Sequence, residues 1–102
     1  MIKSELIASI CRDQSHLAES DVASCINTIF EKMMKHLAAK GRVEIRNFGN
    51  FDVHYHKPRT SHNPKTRKKF TTKPKHVIRF KPGKALKDSV NASRHIPIKE
   101  AN

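Results

Sequence analysis

From His54 to Lys87 the chain holds twelve Lys and Arg side chains and not one Asp or Glu. A stretch like that cannot be folded into a core, because a buried charge needs a partner and the segment supplies none. It must stay solvated and repel itself until a polyanion neutralises it. The twelve are Lys57, Arg59, Lys65, Arg67, Lys68, Lys69, Lys73, Lys75, Arg79, Lys81, Lys84 and Lys87. Pro58, Pro64 and Pro74 are spaced through the segment, and the pair Asn63-Pro64 lies near its middle. A proline cannot donate to a ladder, so these positions suit the base or tip of an exposed ribbon. Residues 57–65 and 66–75 read as two limbs of a hairpin arm, each reaching ~25–30 Å at about 3.3 Å per residue. Apart from Phe70 the limbs have almost no apolar side chains to pack, so they are expected to be mobile in the free protein. Duplex DNA is the expected partner.

The rest of the chain explains where such an arm is mounted. Of the net +12, residues 1–50 carry seven basic and six acidic side chains, and residues 51–102 carry fourteen and three. The first half reads as a neutral scaffold and the second as a binding surface. Leu6, Ile7, Ile10 and Cys11 form one stripe of a short helix over residues 3–13. The period resumes from about Glu19 with Val22, Cys25, Ile26, Ile29, Phe30, Met33 and Leu37, giving a second, longer helix. Lys40-Gly41 reads as its stop, with the left-handed cap expected there. The period then changes from 3.6 to 2. Arg42 to Arg46 alternates cleanly, Asn47 to Asn50 reads as a turn with Gly49 free to take positive φ, and Phe51 to His56 reads as a second strand. Lys75 to Phe80 reads as a third strand, and Pro82-Gly83 opens a short helix over Lys84 to Asn91. The fold class is therefore α+β: an N-terminal helical hairpin, a three-stranded antiparallel sheet with a long β-ribbon arm (about 57–75), and a short C-terminal helix. Residues 1–91 are expected to be one domain, and 92–102 a flexible tail.

Several functions are set aside by what the chain does not contain. No apolar run approaches the ~18 residues that span a bilayer, and Met1 to Glu5 does not open a signal peptide, so an interior compartment is expected. No small-molecule substrate is implied. Cys11 and Cys25 lack CxxC spacing and read as buried free thiols. His54 and His56 share a strand face without an evident third ligand, so no metal or other cofactor is expected. No Gly-rich phosphate loop and no HExxH motif is present, and no enzymatic activity is expected. Binders of single strands interleave aromatic stacking platforms, whereas this arm has Phe70 alone.

Three blocks carry a family resemblance: Arg42 to Phe51 (RVEIRNFGNF), Pro58 to Thr66 (PRTSHNPKT) and Phe80 to Lys87 (FKPGKALK). In this order they resemble the HU/IHF family of bacterial DNA-bending proteins, over residues 1–91. The opening Met1 to Ile7, Glu44 to Arg46 and His54-Tyr55 look like its beta-type branch. The resemblance implies an intertwined dimer, either a homodimer or a heterodimer with an alpha-type subunit. Ile29, Phe30, Met33 and Leu37 would meet their partner equivalents, with Phe48, Phe51 and Phe80 beneath the saddle. It also implies a nucleoid protein of the bacterial cytoplasm that supports recombination, replication and transcription regulation. Insertion of an apolar wedge into the minor groove is the family's general mode, not a deduction from this chain. By that pattern Pro64 is the intercalating residue, and Arg59, His62, Asn63 and Lys65 line the groove or its phosphates. Arg46, with Glu44 beside it, matches the body position through which the beta-type subunit senses sequence, and Lys3, Lys84 and Lys87 hold phosphates on the body flank.

The chain departs from the family at Ser61 and His62, where glycine and arginine are usual, at Arg67, where glycine is usual, and at Lys68 and Lys69, where acidic or neutral residues are common. The arm is thus more cationic, and its binding is expected to depend more on phosphate and less on sequence. Two other readings stay open at this point. One is a compaction homodimer of the HU type without sequence preference. The other is a basic protein that binds structured RNA, although the shallow minor groove of A-form RNA should not accept the arms.

Overall fold

A computed structural model describes residues 1–99. Its first element, α1 (Lys3–Asp13), packs antiparallel on α2 (Glu19–Ala38). Neither helix has a side-chain cap at its N-terminus. Glu5 in the first turn of α1, and Glu19 and Asp21 in that of α2, complement the helix dipoles instead. Ile7, Val22 and Ile26 meet between the helices, with Leu6, Ile10, Cys11 and Ala23 packed around them.

The sheet follows in the order β1-β2-β5, all antiparallel: β1 (Val43–Ile45), β2 (Gly49–His56) and β5 (Lys75–Pro82). Between β2 and β5 the chain makes a separate two-stranded ladder of β3 (Thr60–His62) and β4 (Lys69–Thr71), which is the expected arm. The short helix α3 (Lys84–Ala92) closes the fold. A compact chain of this size would have a radius of gyration of about 13 Å; here it is 19.4 Å, with a longest dimension of 61 Å. The arm accounts for the difference.

Three local expectations need correction. The left-handed residue after α2 is Lys40 (φ 66°), not Gly41. Gly41 serves space instead, since a Cβ there would run into the His36 ring. In the β1–β2 turn the left-handed residue is Asn47 (φ 68°), and Gly49 already belongs to β2. Asn tolerates that conformation, whereas Gly49 is needed for a close approach. A Cβ on Gly49 would lie 2.6 Å from the Phe80 ring and 2.7 Å from the Lys81 carbonyl oxygen. Finally, β5 runs on to Pro82, because Pro82 pairs with Gly49 and the ladder is as long as β2.

The core of the single chain is small. Ile7, Val22, Ile26 and Leu37 are the buried apolar side chains among the described residues. Against that stand Ile29 at 55% exposure, Met34 at 62%, Ile78 at 62%, and Phe30, Phe48 and Phe80 at 40–45%. Phe48, Phe51 and Phe80 pack on one another, with ring centroids 5.5 Å apart for Phe48–Phe80 and 4.8 Å for Phe51–Phe80. Of the residues expected to meet a partner, Leu37 is instead buried within its own chain, and Met33 and Phe51 are half-buried. Cys25 is also a correction: both thiols are free, but Cys25 is exposed and Cys11 half-buried. Cys25 lies in an apolar groove with Ile10, Leu17, Val22, Ile26 and Ile29.

The expected loose tail begins with turns. Ser93 donates to the carbonyls of Ser89 and Val90, Arg94 to that of Asn91, and Ile96 to that of Ser93. The last three residues of that tail, 100–102, lie outside the described residues.

Gly49→Ala tests the close approach at the ribbon's base. The added methyl meets a ring and a backbone oxygen that cannot both retreat, so a loss of about 1–3 kcal/mol is expected in urea unfolding. Wild-type stability in the alanine variant would show that the strands have room to spare.

Candidate nucleic-acid interface

Body and arm are one ribbon. β2 pairs with β5 from Gly49↔Pro82 to His56↔Lys75, and β3 pairs with β4 from Thr60↔Thr71 to His62↔Lys69. The two limbs have equal numbers of residues between the ladders, but the bonded pairs change phase there, from the Gly83 N–H on the Phe48 carbonyl in the body to the Thr72 N–H on the Arg59 carbonyl in the arm. Side chains opposite each other lie on the same face and alternate along the strand. In the body this gives Phe51, Val53, Tyr55, Ile78 and Phe80 on one face, toward α2. Asp52, His54 and His56 lie on the other, opposite Arg79, Val77 and Lys75. Lys81, opposite Asn50, continues that polar face. Body cations of the ribbon therefore point one way.

The arm differs. Along the arm ladder, Arg59, Ser61, Phe70 and Thr72 fall on one face, and Thr60, His62, Lys69 and Thr71 on the other. Cations now stand on both faces of a ribbon two strands wide. A body charged on one side can lie against one line of phosphates. An arm charged on both sides suits a slot with phosphates on each wall.

Between the ladders lies a break over Lys57 to Arg59 and Thr72 to Pro74. Thr72 bridges its distal edge. Its N–H donates to the Arg59 carbonyl (2.8 Å), its hydroxyl donates to the same carbonyl (3.2 Å), and the Arg59 N–H donates to the hydroxyl oxygen (3.0 Å). His56, Lys57, Arg59, Thr72, Lys73 and Lys75 line an open recess of about 340 Å³ at this point. No carboxylate lines it.

The tip is a tight turn that satisfies its own backbone. The Asn63 side-chain oxygen accepts from the Lys65 N–H at 3.0 Å, spanning Pro64, which has no N–H to place. The Asn63 carbonyl accepts from Arg67 at 2.7 Å, and the Asn63 N–H donates to the Lys68 carbonyl at 3.0 Å. The Thr66 hydroxyl accepts from the Lys68 N–H at 3.4 Å. Pro64 is exposed at the apex. Arg67 sits at φ 56°, the left-handed region, where the family pattern has glycine.

On the body, Glu44 does not stand free beside Arg46. Its carboxylate lies 3.6 Å from the Arg42 guanidinium, with both side chains exposed. Arg46 is in the turn that follows β1. Lys3 donates to the Asn27 side chain at 2.8 Å, tying α1 to α2. Asp52 lies 3.0 Å from the His54 ring. Lys84 and Lys87 are on α3 and exposed. Arg42, Asn27 and Thr72 are thus contacts that the sequence reading did not single out. Alternation places Arg42 with Glu44, and the repeated register places Thr72 opposite Arg59, but Asn27 beside Lys3 needs the helix packing.

Residues 1–91 match the model of the bacterial DNA-binding protein family. The chain belongs to that family, the HU/IHF proteins. It is 49% identical over 98 residues to the integration host factor subunit beta of Alkalilimnicola ehrlichii, covering 96% of this chain and 98% of that one. The same subunit of Pseudomonas entomophila is 46% identical over 97 residues, covering 95% and 99%. Among solved structures, HU from Thermotoga maritima superposes with a TM-score of 0.61 at 31% identity, over 88% of this chain and 98% of that one. Anabaena HU, crystallised with DNA, gives 0.75 over 88% and 97%; at 23% identity it speaks for the fold alone.

A pair of variants isolates the strain at the tip. Arg67→Ala and Arg67→Gly both delete the charge, but only glycine removes the left-handed penalty of about 1–2 kcal/mol. The Asn63 and Arg67 amides are therefore expected to exchange more slowly in the glycine variant than in the alanine variant. Equal exchange would mean that the turn is not held in this conformation in solution.

Proposed function

We propose that this chain is one subunit of an architectural DNA-bending protein of the bacterial nucleoid, with a mechanical rather than a catalytic role. Residues 1–91 form the DNA-binding unit. A second chain, either another copy or an alpha-type subunit, covers the apolar face that holds Ile29, Phe30, Met34, Phe48 and Phe80. Lys75, Arg79 and Lys81 on the body sheet, with Lys3, Lys84 and Lys87 on the helices, neutralise phosphates along one side of the duplex. Each arm enters a minor groove, with Arg59, Lys57 and Arg67 on the approach and His62, Asn63 and Lys65 around the tip. Pro64 wedges into a base step there. Unstacking costs a few kcal/mol per step, which contacts along the wrapped flanks offset. Lys68, Lys69 and Lys73 on the returning limb add phosphate contacts.

The observation that carries this reading is the change from a ribbon charged on one face in the body to one charged on both faces in the arm. The minor groove of B-DNA is about 6 Å wide and flanked by phosphates on both sides. Membership of the beta-type relatives' family supports the same reading, and the relation to integration host factor favours roles in recombination, replication and transcription regulation. Among the described residues no helix is long and apolar enough to cross a membrane.

Two measurements test the mechanism. If each dimer neutralises about six to ten phosphates, affinity for duplex DNA falls ~10³–10⁵-fold between ~50 and ~200 mM salt. A flat salt response would remove the electrostatic basis. Pro64→Ala is expected to abolish most of the bend, read by energy transfer between duplex ends, while lowering affinity only in part. Undiminished bending in that variant would rule out the wedge.

A further inference from the structure

The arm leaves the body at a defined weak point. Along an antiparallel ribbon, pairs that exchange hydrogen bonds alternate with pairs that do not. Arg59↔Thr72 is of the bonded kind, since the Thr72 N–H donates to the Arg59 carbonyl. In the body the bonded pairs have the opposite parity: the Gly83 N–H donates to the Phe48 carbonyl, and Pro82 opposite Gly49 has no N–H to give, so Asn50↔Lys81 and every second pair on to His56↔Lys75 are the bonded ones. The two ladders are therefore out of phase, and they meet where Pro58 and Pro74 have no N–H to give a rung. The ribbon thus loses a rung between the body ladder, which ends at His56↔Lys75, and the arm ladder.

At the distal side of that gap the normal rung is altered. In a regular bonded pair the Arg59 N–H would donate to the Thr72 carbonyl. Here it donates to the Thr72 hydroxyl, which in turn donates to the Arg59 carbonyl. A hydroxyl offers one donor and two acceptor sites. Thr72 therefore has its donor and one acceptor site committed to the backbone of Arg59. It lies in the cationic recess as a strut, while His56, Lys57, Arg59, Lys73 and Lys75 supply the charge around it.

We propose that Thr72 is a positioning residue for DNA bending: its hydroxyl clamps the two limbs at the distal edge of a hinge and sets the direction in which the tip meets the duplex. The break in phase between the two ladders lets the arm swing. The clamp makes it swing as one rigid ribbon, with Arg59 held in place, rather than splay into two strands. The proposal rests on the bending role stated above, so its test has one part that needs no DNA.

The experiment compares wild-type, Thr72→Val and Thr72→Ser proteins as full chains. Valine keeps the shape and removes the hydroxyl, and serine keeps the hydroxyl. In the free protein, the Arg59 amide is expected to exchange roughly threefold to tenfold faster in the valine variant, the effect of one net hydrogen bond. On an end-labelled duplex, the valine variant bends DNA less than wild type, while its affinity changes by a smaller factor. Serine restores both the exchange rate and the bend. Unchanged Arg59 exchange in the valine variant overturns the clamp, and so does a serine variant that behaves like valine. A wild-type protein that fails to bend DNA would refute the functional reading, while the exchange result would still decide the clamp.

Discussion

The pairing of β2 with β5 has to hold one register from the body to the arm, because every functional position is measured along it. Gly49↔Pro82 opens the body ladder and His62↔Lys69 ends the arm ladder, with three residues on each limb between the two. A slip of one residue would turn each side chain to the opposite face. Phe51, Val53 and Tyr55 would move to the polar side, and the tip, about 50 Å from Gly49 by strand rise, would be rebuilt on different residues. The register is pinned at the far end from the tip. Gly49 lets the Phe80 ring close over the strand, and Phe48 and Phe51 pack on that ring. The aromatic cluster thus aligns a structure whose working end it never touches.

The same ribbon explains why the chain is built to be completed by others. The four buried apolar side chains among the described residues make a core too small to offset the ordering of about a hundred residues. The exposed apolar face holds the surface that could make good the shortfall, on the side of the sheet opposite the body cations. A partner chain and a duplex can therefore occupy different sides at once. The arm has the opposite deficit, with charge on both faces and Phe70 at 49% exposure, so its order depends on a polyanion rather than on a core. In the proposed complex the body is completed by apolar contact and the arm by phosphate.

Much of this was legible in the sequence, and the boundary of legibility is physical. The change of period near Gly41 identified helices and strands because burial there is one-sided, and one-sided burial leaves a periodic trace. The arm was legible because twelve cations without an acid have no folded alternative. What could not be read were choices settled by a distant neighbour. Gly49 looks like a turn glycine until Phe80, thirty-one residues on, is placed over it. Leu37 and Met34 share a helix stripe and border one groove with Val53 and Ile78 of the sheet, yet Leu37 is 8% exposed and Met34 62%. Thr72 is one more polar residue until Arg59 is found across the ribbon. Cys25 fits a buried helix position, and its exposure follows from a groove that this chain does not fill by itself.

Arg67 shows how charge and backbone strain can coexist at the tip. A left-handed arginine costs about 1–2 kcal/mol relative to a relaxed backbone. Where the free tip already holds this turn, that cost is present with and without DNA and does not subtract from the binding step. The attraction to phosphate exists only in the complex. A chain can therefore place a cation where its relatives have glycine and keep the affinity, provided the turn is held by other bonds. Here the Asn63 side chain, the Asn63 carbonyl and the Thr66 hydroxyl provide them. Salt separates the two effects: counterions weaken the phosphate contact, while the strain is a matter of sterics and stays. In the proposed complex Arg67 therefore favours binding most at low ionic strength, and as salt rises the strained turn remains while the advantage it supports fades.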